Sequence, residues 1–486
     1  MTTLQVAVVG SGPAGIYTAE ALIKQAAALD VPVAVHVDVL DRLPTPYGLV
    51  RYGVAPDHKS IKSIAEYLRG VLEHDGVRFL GGIHLGDDVT RDDLLASYDA
   101  VVYATGAMRD RHLRIPGENL TGSVAATDFV NWYCGHPDVD PVAYTLDAES
   151  VAVIGVGNVA VDVARILVRD PEELRETDVS QPVLDALMAS KVREVHMIGR
   201  RGPAQAKFTT KELRELGELA GVDVVVGDGE ADLDAFDPTG ESARLAQADR
   251  HVRGNYNVIS GWAAKQPAGA ARRLTVRFWL RPVEIHGEER VSGLTLERTR
   301  LDENGAFTGT GQFETLPAQL VLRSVGYQSV PLPGVPFDDR SSIVPNAEGR
   351  VLGPDGQPLP GEYVAGWLKR GPTGVIGTNK SDAAQTVRSL LADLAGGPGP
   401  DDVQLPRAGL LRLPEPDAAT AGQAGQSRFE RLLADRAIRP VSYDDWLRIE
   451  TAERELAERL SRGARVKLAS REELYQACGM VPRESP

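Results

Sequence analysis

Residues 4–15, Leu4-Gln5-Val6-Ala7-Val8-Val9-Gly10-Ser11-Gly12-Pro13-Ala14-Gly15, pass from a short apolar stretch straight into glycines spaced GxGxxG. The apolar part has the length and valine content of a buried strand, and the Ala-rich run to about Ala28 has helical spacing. In such a strand–turn–helix the first glycine permits the tight turn, and the second lets a pyrophosphate approach the backbone. Free N–H groups at the helix start then face the phosphates.

The same order of events returns further along. Residues 151–154 read as a strand, Gly155-Val156-Gly157-Asn158-Val159-Ala160 as the turn, and the run to about Val168 as a helix. Each unit is followed by another strand: 33–40, with valine at every second position and Asp41 closing it, and 194–198, closed by Gly199-Arg200-Arg201. Two further apolar runs, 98–106 and 319–326, each end in a small-residue turn. The pattern predicts an α/β fold with two Rossmann-like dinucleotide-binding domains and a partly helical C-terminal tail. The second domain, residues 109–326, is expected to be inserted into a discontinuous first domain of residues 1–108 and 327–486, with an appendage from about 400.

The strand ends separate the two ligands. A carboxylate such as Asp41 accepts hydrogen bonds from ribose hydroxyls and repels a 2′-phosphate, which suits FAD or NAD. Arg200 and Arg201 supply two planar cations for bidentate phosphate contact, which suits NADP. One site of each kind is what transfer of a hydride from NADPH to a bound flavin requires.

Composition narrows the alternatives. With 486 residues, 43% hydrophobic and 25% charged, the chain is long enough for two or three domains with cores of their own. A formal charge of −15 argues against broad nucleic-acid binding. No apolar run approaches membrane-spanning length and no secretory signal pattern opens the chain, so a cytoplasmic protein without membrane contact is expected. The two cysteines, Cys134 and Cys478, have no CxxC or Cys/His spacing, so no metal site, iron–sulfur cluster or redox dithiol is expected. Residues 223–249 and 266–273 read as surface loops, 382–394 as a helix, 396–400 as a glycine–proline hinge, and 443–460 as the main helix of the tail.

Longer segments carry a family resemblance. They are Leu43-Pro44-Thr45-Pro46-Tyr47-Gly48-Leu49-Val50-Arg51-Tyr52-Gly53-Val54-Ala55-Pro56-Asp57-His58, and residues 128–137 (DFVNWYCGHP), 154–167, 199–212 (GRRGPAQAKFTTKE) and 366–380 (GWLKRGPTGVIGTNK). Together they resemble the adrenodoxin reductase-like NADPH–ferredoxin reductases, within the two-dinucleotide-binding flavoprotein fold of glutathione reductase. The resemblance spans nearly the whole chain.

It implies that Gly10, Gly12, Ala14, Gly15, Asp41, Leu49 and Leu85 contact FAD, and that Trp367, Gly374, Val375 and Ile376 line its isoalloxazine. It implies that Gly155, Gly157, Asn158 and Val159 hold the NADP pyrophosphate, Arg200 and Arg201 the 2′-phosphate, and Glu212 with Gly374 the nicotinamide half. His58 is expected near the flavin with Asp162 close to it, and the residues named for the reaction itself are His58, Asp162 and Glu212. The implied activity is a ferredoxin–NADP(+) reductase that accepts hydride from NADPH on FAD and gives single electrons to a ferredoxin, which feeds a cytochrome P450 or another ferredoxin-dependent enzyme. Asp41 departs from the longer Glu common at the ribose position, and the tail beyond about 465 carries no readable motif. An acidic total does not suit an acidic ferredoxin, so docking calls for a local basic surface from Lys207, Lys211, Arg214, Arg250, Arg253, Arg272 and Arg273. A disulfide reductase, a flavin monooxygenase and a nucleotide-sensing scaffold without turnover are the competing readings.

Overall fold

The computed structural model describes residues 3–395 and 427–483. Two parallel-rich sheets organise them. The first has seven strands, in the spatial order Asn346–Ala347, Arg350–Leu352, Pro358–Val364, Ala100–Tyr103, Thr3–Val9, Ala34–Asp41, Val77–Gly81. The last five of these run parallel. The second has six strands, all parallel, in the order Ser123–Ala125, Leu320–Arg323, Ser150–Ile154, Glu194–Ile198, Arg272–Arg277, Val222–Val226. Strands 346–364 therefore complete the first sheet only after the chain has laid down the second.

Both sheets place their crevice by the same register. Val9 lies level with Leu40 on one side and Tyr103 on the other, and Ile154 lies level with Ile198 and Arg323. The chain leaves each central strand in one direction and returns on the opposite side, which opens a crevice at the strands' carboxyl ends. The helix Pro13–Ala27 follows the first strand, with Pro at its start and extended Gly12 as its N-cap. It crosses so close to the turn that a Cβ on Gly15 would lie 1.8 Å from the Gly10 carbonyl oxygen. Helix Asn158–Val168 follows the second central strand. That strand is buried on both sides: Val151 and Val153 enter one core, Ala152 and Ile154 another.

The strands expected at 4–9, 33–40, 151–154 and 194–198 and both glycine-turn helices form within a residue or two, as does the helix Tyr443–Arg459. The runs 98–106 and 319–326 give shorter strands, Ala100–Tyr103 and Leu320–Arg323, and the helix expected at 382–394 begins four residues earlier, at Thr378. The loop expected over 223–249 is corrected. It holds most of the edge strand Val222–Val226 and the helix Glu241–Ala248. Its acids disguised this, because three of them work inside the fold, Asp223 by accepting from the Ala268, Gly269 and Ala270 amides. Glu230, 1% exposed, accepts from the Phe278 amide and pairs with Arg277 and Arg298. Asp237 accepts from the Ser242 amide and builds the helix start. Residues 266–271 are irregular as expected, but Arg272 and Arg273 already belong to a strand.

The hinge expected at 396–400 lies outside the described residues. The described C-terminal helices pack onto the first sheet: Phe429 and Leu433 join Val9, Leu80 and Val101 in one core, and Trp446, Ile449 and Leu474 join Val6, Val8 and Tyr47 in another. Beyond 465, where no motif was readable, residues Arg471–Ala477 form a helix with a capping box at Ser470 and Glu473.

The two sheets are joined through buried charge. Asp57, just after the first unit's 43–56 segment, takes a fork from Arg165 of the helix Asn158–Val168 at 2.6 and 3.0 Å, and a further contact from Arg169. Arg165 is 2% exposed. Burial alone would push the Asp57 carboxyl up, but the two guanidiniums outweigh it and hold it below its usual range. Among the described residues no helix is long and apolar enough to cross a membrane.

Two outcomes follow from this packing. Trp446→Ala removes a side chain 1% exposed and set edge-on to Tyr47 at 5.9 Å, and should cost about 3–5 kcal/mol in urea unfolding. Arg165→Met leaves the Asp57 carboxylate, whose side chain is 7% exposed, without its bidentate partner and should cost about 3–5 kcal/mol near neutral pH. Because the native Asp57 carboxyl is depressed, its contribution is full above the unfolded value of about 4 and fades as pH falls through the lower native value. The gap between wild type and variant should therefore narrow in acid, which unfolding curves at stepped pH will measure.

Candidate functional site

At the first crevice the Gly10 amide donates to the Leu40 carbonyl at 2.7 Å, and Gly10 takes φ +114°, closed to most side chains. Asp41 stands at the adjacent strand end. Its carboxylate accepts from the Ser11 amide at 2.8 Å, the Ser11 hydroxyl at 2.6 Å and the Leu43 amide at 2.9 Å. Three of roughly four lone-pair directions are thus used in fixing the turn, which leaves about one for a ribose hydroxyl. The short Asp side chain is thereby held close to the turn.

The segment from 43 folds over that turn. The Tyr47 amide donates to the Ser11 carbonyl at 3.0 Å, and a Cβ on Gly48 would come within 2.9 Å of the Gly12 Cα. Leu49 begins a short helix, Leu49–Tyr52, and is half-buried, whereas Leu85 is buried in the core with Leu40, Leu80 and Val89. Ala14 faces Gly366 so closely that a Cβ there would meet it at 2.5 Å. Trp367 follows, with its ring centre 5.6 Å from Tyr327 and its indole N–H donating to the Thr373 carbonyl at 3.2 Å. Gly374 and Val375 are exposed and Ile376 is half-buried, just before helix Thr378–Ala395. An apolar side chain 64% exposed, as Val375 is, at the entry to that helix suits the face of a flat ring. Nearby, Arg370 donates to Asn379, while its Nε and Nη1 are buried without a partner. The residues present fit FAD.

At the second crevice Gly155 has φ +142°, and nothing lies within 4 Å of where a Gly157 Cβ would be, so the backbone there is open to close approach. Asn158 opens the helix and accepts from the Thr209 amide at 2.9 Å; Val159 beside it is half-buried. Arg200 and Arg201 stack against Phe307, their guanidinium carbons 4.4 and 5.6 Å from its ring centre. Neither forms an ion pair among the described residues, and the Nε of Arg201 is buried without a partner. Burial and the neighbouring Arg201 push the Arg200 pKa below its ordinary value. Two cations pressed together with no carboxylate to neutralise them form a site for a multiply charged anion, and the crevice fits NADP.

Between the crevices His58, 7% exposed, meets the second unit. Its Nε2 lies 2.9 Å from the Asp162 carboxylate and 2.7 Å from Arg165, and its Nδ1 lies 3.9 Å from Glu215. The structure thus brings His58 and Asp162 together. Glu212, buried at the start of helix Thr210–Gly217, instead accepts from the Thr209 hydroxyl at 2.6 Å. Sequence reasoning missed three contributors. Arg165 and Glu215 lie one helical turn beyond Asp162 and Glu212, a spacing that could have flagged them. Phe307, on a distant hairpin strand, gave no signal.

The basic cluster is corrected. Arg272 donates to the Val168 and Arg169 carbonyls, so it caps the end of helix Asn158–Val168, and Arg273 lies 3.9 Å from Glu194. Both stand at the amino ends of the strands, opposite the crevice. Lys207, Lys211, Arg214, Arg250 and Arg253 are exposed on the crevice side or on the helix that packs against it, although Lys211 lies 3.8 Å from Glu215. The Cys134 thiol donates to the Val54 carbonyl and burial pushes it up to about 11, which leaves it unsuited to thiol exchange.

A sequence profile for pyridine nucleotide-disulphide oxidoreductases matches residues 4–237. The chain is 44% identical to the NADPH-ferredoxin reductase FprA of Mycobacterium tuberculosis, covering 98% of this chain and 99% of that protein. It is 38% identical to the mitochondrial NADPH:adrenodoxin oxidoreductase of Arabidopsis thaliana, covering 98% and 95%. The solved structure of Mycobacterium tuberculosis FprA in complex with NADPH superimposes with a TM-score of 0.85 at 41% identity, covering 98% of this chain and 99% of that one. With such identity sustained from end to end and two crevices of the matching chemistry, the chain belongs to the NADPH–ferredoxin reductases, the family that includes the adrenodoxin reductases.

Proposed function

We propose that this protein draws a hydride from NADPH onto bound FAD and hands electrons singly to a ferredoxin. The observation that carries the reading is the contrast between the two strand ends. One crevice closes on the Asp41 carboxylate, the other on two guanidiniums without a carboxylate partner, and the His58–Asp162 contact lies between them.

Gly10, Gly12, Ala14, Gly15, Asp41, Leu49 and Leu85 hold the adenosine and pyrophosphate side of FAD in this reading, and Trp367, Gly374, Val375 and Ile376 its ring. Leu85 serves as wall, given its burial in the core. Gly155, Gly157, Asn158 and Val159 take the NADPH pyrophosphate, Arg200 and Arg201 its 2′-phosphate, and Glu212 with Gly374 its nicotinamide half. FAD, when bound, supplies the conversion between two-electron and one-electron chemistry.

The chain's own contribution is positioning. Hydride transfer needs no general base, so alignment and exclusion of water dominate the rate. His58 is gripped by Asp162 and Arg165, an arrangement that orients the ring more than it frees a proton carrier. A protein of formal charge −15 requires a local basic face for an acidic partner, and Lys207, Lys211, Arg214, Arg250 and Arg253 supply it. The buried thiols and the lack of a membrane-spanning helix among the described residues accord with a cytoplasmic setting.

Mixing the purified protein with NADPH in a stopped-flow instrument should bleach the flavin. Cytochrome c reduction should then depend on an added ferredoxin; an NADH preference, or no bleaching, would refute the reading. The double variant Arg200→Ala with Arg201→Ala should raise the KM for NADPH about a hundredfold or more, from the loss of two charge-assisted contacts of ~1.5–3 kcal/mol each, with little change for NADH. Equal losses with both nucleotides would take the 2′-phosphate role away from this pair.

A further inference from the structure

The irregular stretch between helices Tyr443–Arg459 and Arg471–Ala477 carries Lys467, 1% exposed. Its ammonium donates to the Arg51 carbonyl at 2.6 Å and the Cys134 carbonyl at 2.7 Å, and lies 3.5 Å from the Asp178 carboxylate. Its own amide donates to the Asp178 carbonyl at 3.2 Å. These acceptors belong to three separate pieces of the molecule. Arg51 lies in the short helix Leu49–Tyr52 over the first crevice, Cys134 caps helix Ala126–Tyr133, and Asp178 leads into helix Gln181–Met188 of the second unit.

The same stretch is anchored on both sides. Towards the second unit, Arg462 donates to the Arg175 and Thr177 carbonyls at 3.2 and 3.4 Å and to Gln181 at 3.1 Å. Gly463 passes so near that a Cβ would meet the Glu176 backbone at 2.9 Å. Towards the first unit, the amides of Val466 and Leu468 donate to Glu453, which is fully buried and pairs with the Arg51 guanidinium. Lys62 adds a second ammonium on Asp178, at 2.8 Å.

We infer that Lys467 is a positioning residue for hydride transfer: its ammonium ties the helix over the flavin crevice to the second unit and so sets how closely the nicotinamide approaches the flavin. The inference rests on the hydride-transfer reading above. Residues 51–58 then hang between two fixed ends, Lys467 and Glu453 at Arg51, and Arg165 with Asp162 at Asp57 and His58. Slack at the first end moves the flavin-side wall without touching the phosphate contacts of NADPH at Gly155, Gly157, Arg200 and Arg201.

The test uses the full-length, FAD-loaded Lys467→Met variant, which keeps the length of the side chain without its donors. Hydrogen exchange read by mass spectrometry should quicken in 49–54, 134–137 and 175–181 while the cores of both sheets keep their protection. Flavin reduction at saturating NADPH should slow about tenfold, with a weakened nicotinamide–flavin charge-transfer band. The Kd for NADPH should stay within about threefold, and reoxidation by ferricyanide should be unchanged. If Lys467→Met does not fold, Arg462→Gln carries the test, with the same exchange pattern and a smaller slowing. Wild-type exchange in those segments, exchange raised uniformly across the molecule, or an unchanged reduction rate would overturn the inference and leave the reductase reading intact. Failure of the wild type itself to be reduced by NADPH would overturn both.

Discussion

Two nucleotide crevices on one chain are of use together only if the sheets that carry them are held at a fixed angle, and here that angle is held by charge placed out of water. The fork of Arg165 on Asp57 and the contacts of His58 with Asp162 and Arg165 join a loop of the first unit to the first helix of the second, a turn or two beyond its glycine turn. Such groups gain little over an apolar contact in stability, because desolvation offsets much of their attraction. What they add is direction: a guanidinium fork accepts one carboxylate geometry, whereas packed leucines tolerate sliding. The same principle recurs at Glu230, which receives Arg277 and Arg298 and so fixes the hairpin that bears Phe307 against strand Arg272–Arg277, while the Thr299 hydroxyl of that hairpin donates to the Arg200 carbonyl.

That recurrence explains why the acidic total misleads. A formal charge of −15 is a sum and says nothing of where the charges stand, and several carboxylates sit inside with guanidinium or amide partners. Glu230, Glu453 and Asp237 are almost fully buried, the Asp57 side chain is 7% exposed, and all four are bonded to guanidiniums or amides. Among the described residues, Arg200 and Arg201 stand out from the other cations because they are stacked on an aromatic ring and left without a carboxylate.

Much of the fold could be read directly because its determinants are contiguous. Val6, Val8 and Gly10 state a strand and its turn within a few residues, and Glu194 to Gly199 does the same for the strand that delivers Arg200. The pairing of His58 with Asp162 was accessible only through resemblance, since 104 positions separate them. What escaped depended on partners far away or on strand polarity. The acids of 223–249 looked like solvent-facing loop because the arginines they serve lie beyond 276. Arg272 looked like a docking charge because composition does not say which end of a strand it occupies; there it meets the carbonyls ending a helix. Phe307 offers no chemical hint at all until the hairpin folds it under the arginines.

The order in which the first sheet is assembled bears on how the protein is made. Pro358–Val364 pairs with Ala100–Tyr103, so a ribosome must deliver more than 250 further residues before that neighbour is covered. The second sheet, whose strands all fall between 123 and 323, is by then fully synthesised. Vectorial synthesis therefore presents a nascent chain with one finished nucleotide cradle and one sheet with a bare apolar edge, a state that invites intermolecular strand pairing and chaperone capture. Closure of that edge, and with it the ability to retain a prosthetic group, waits until Pro358–Val364 has been made.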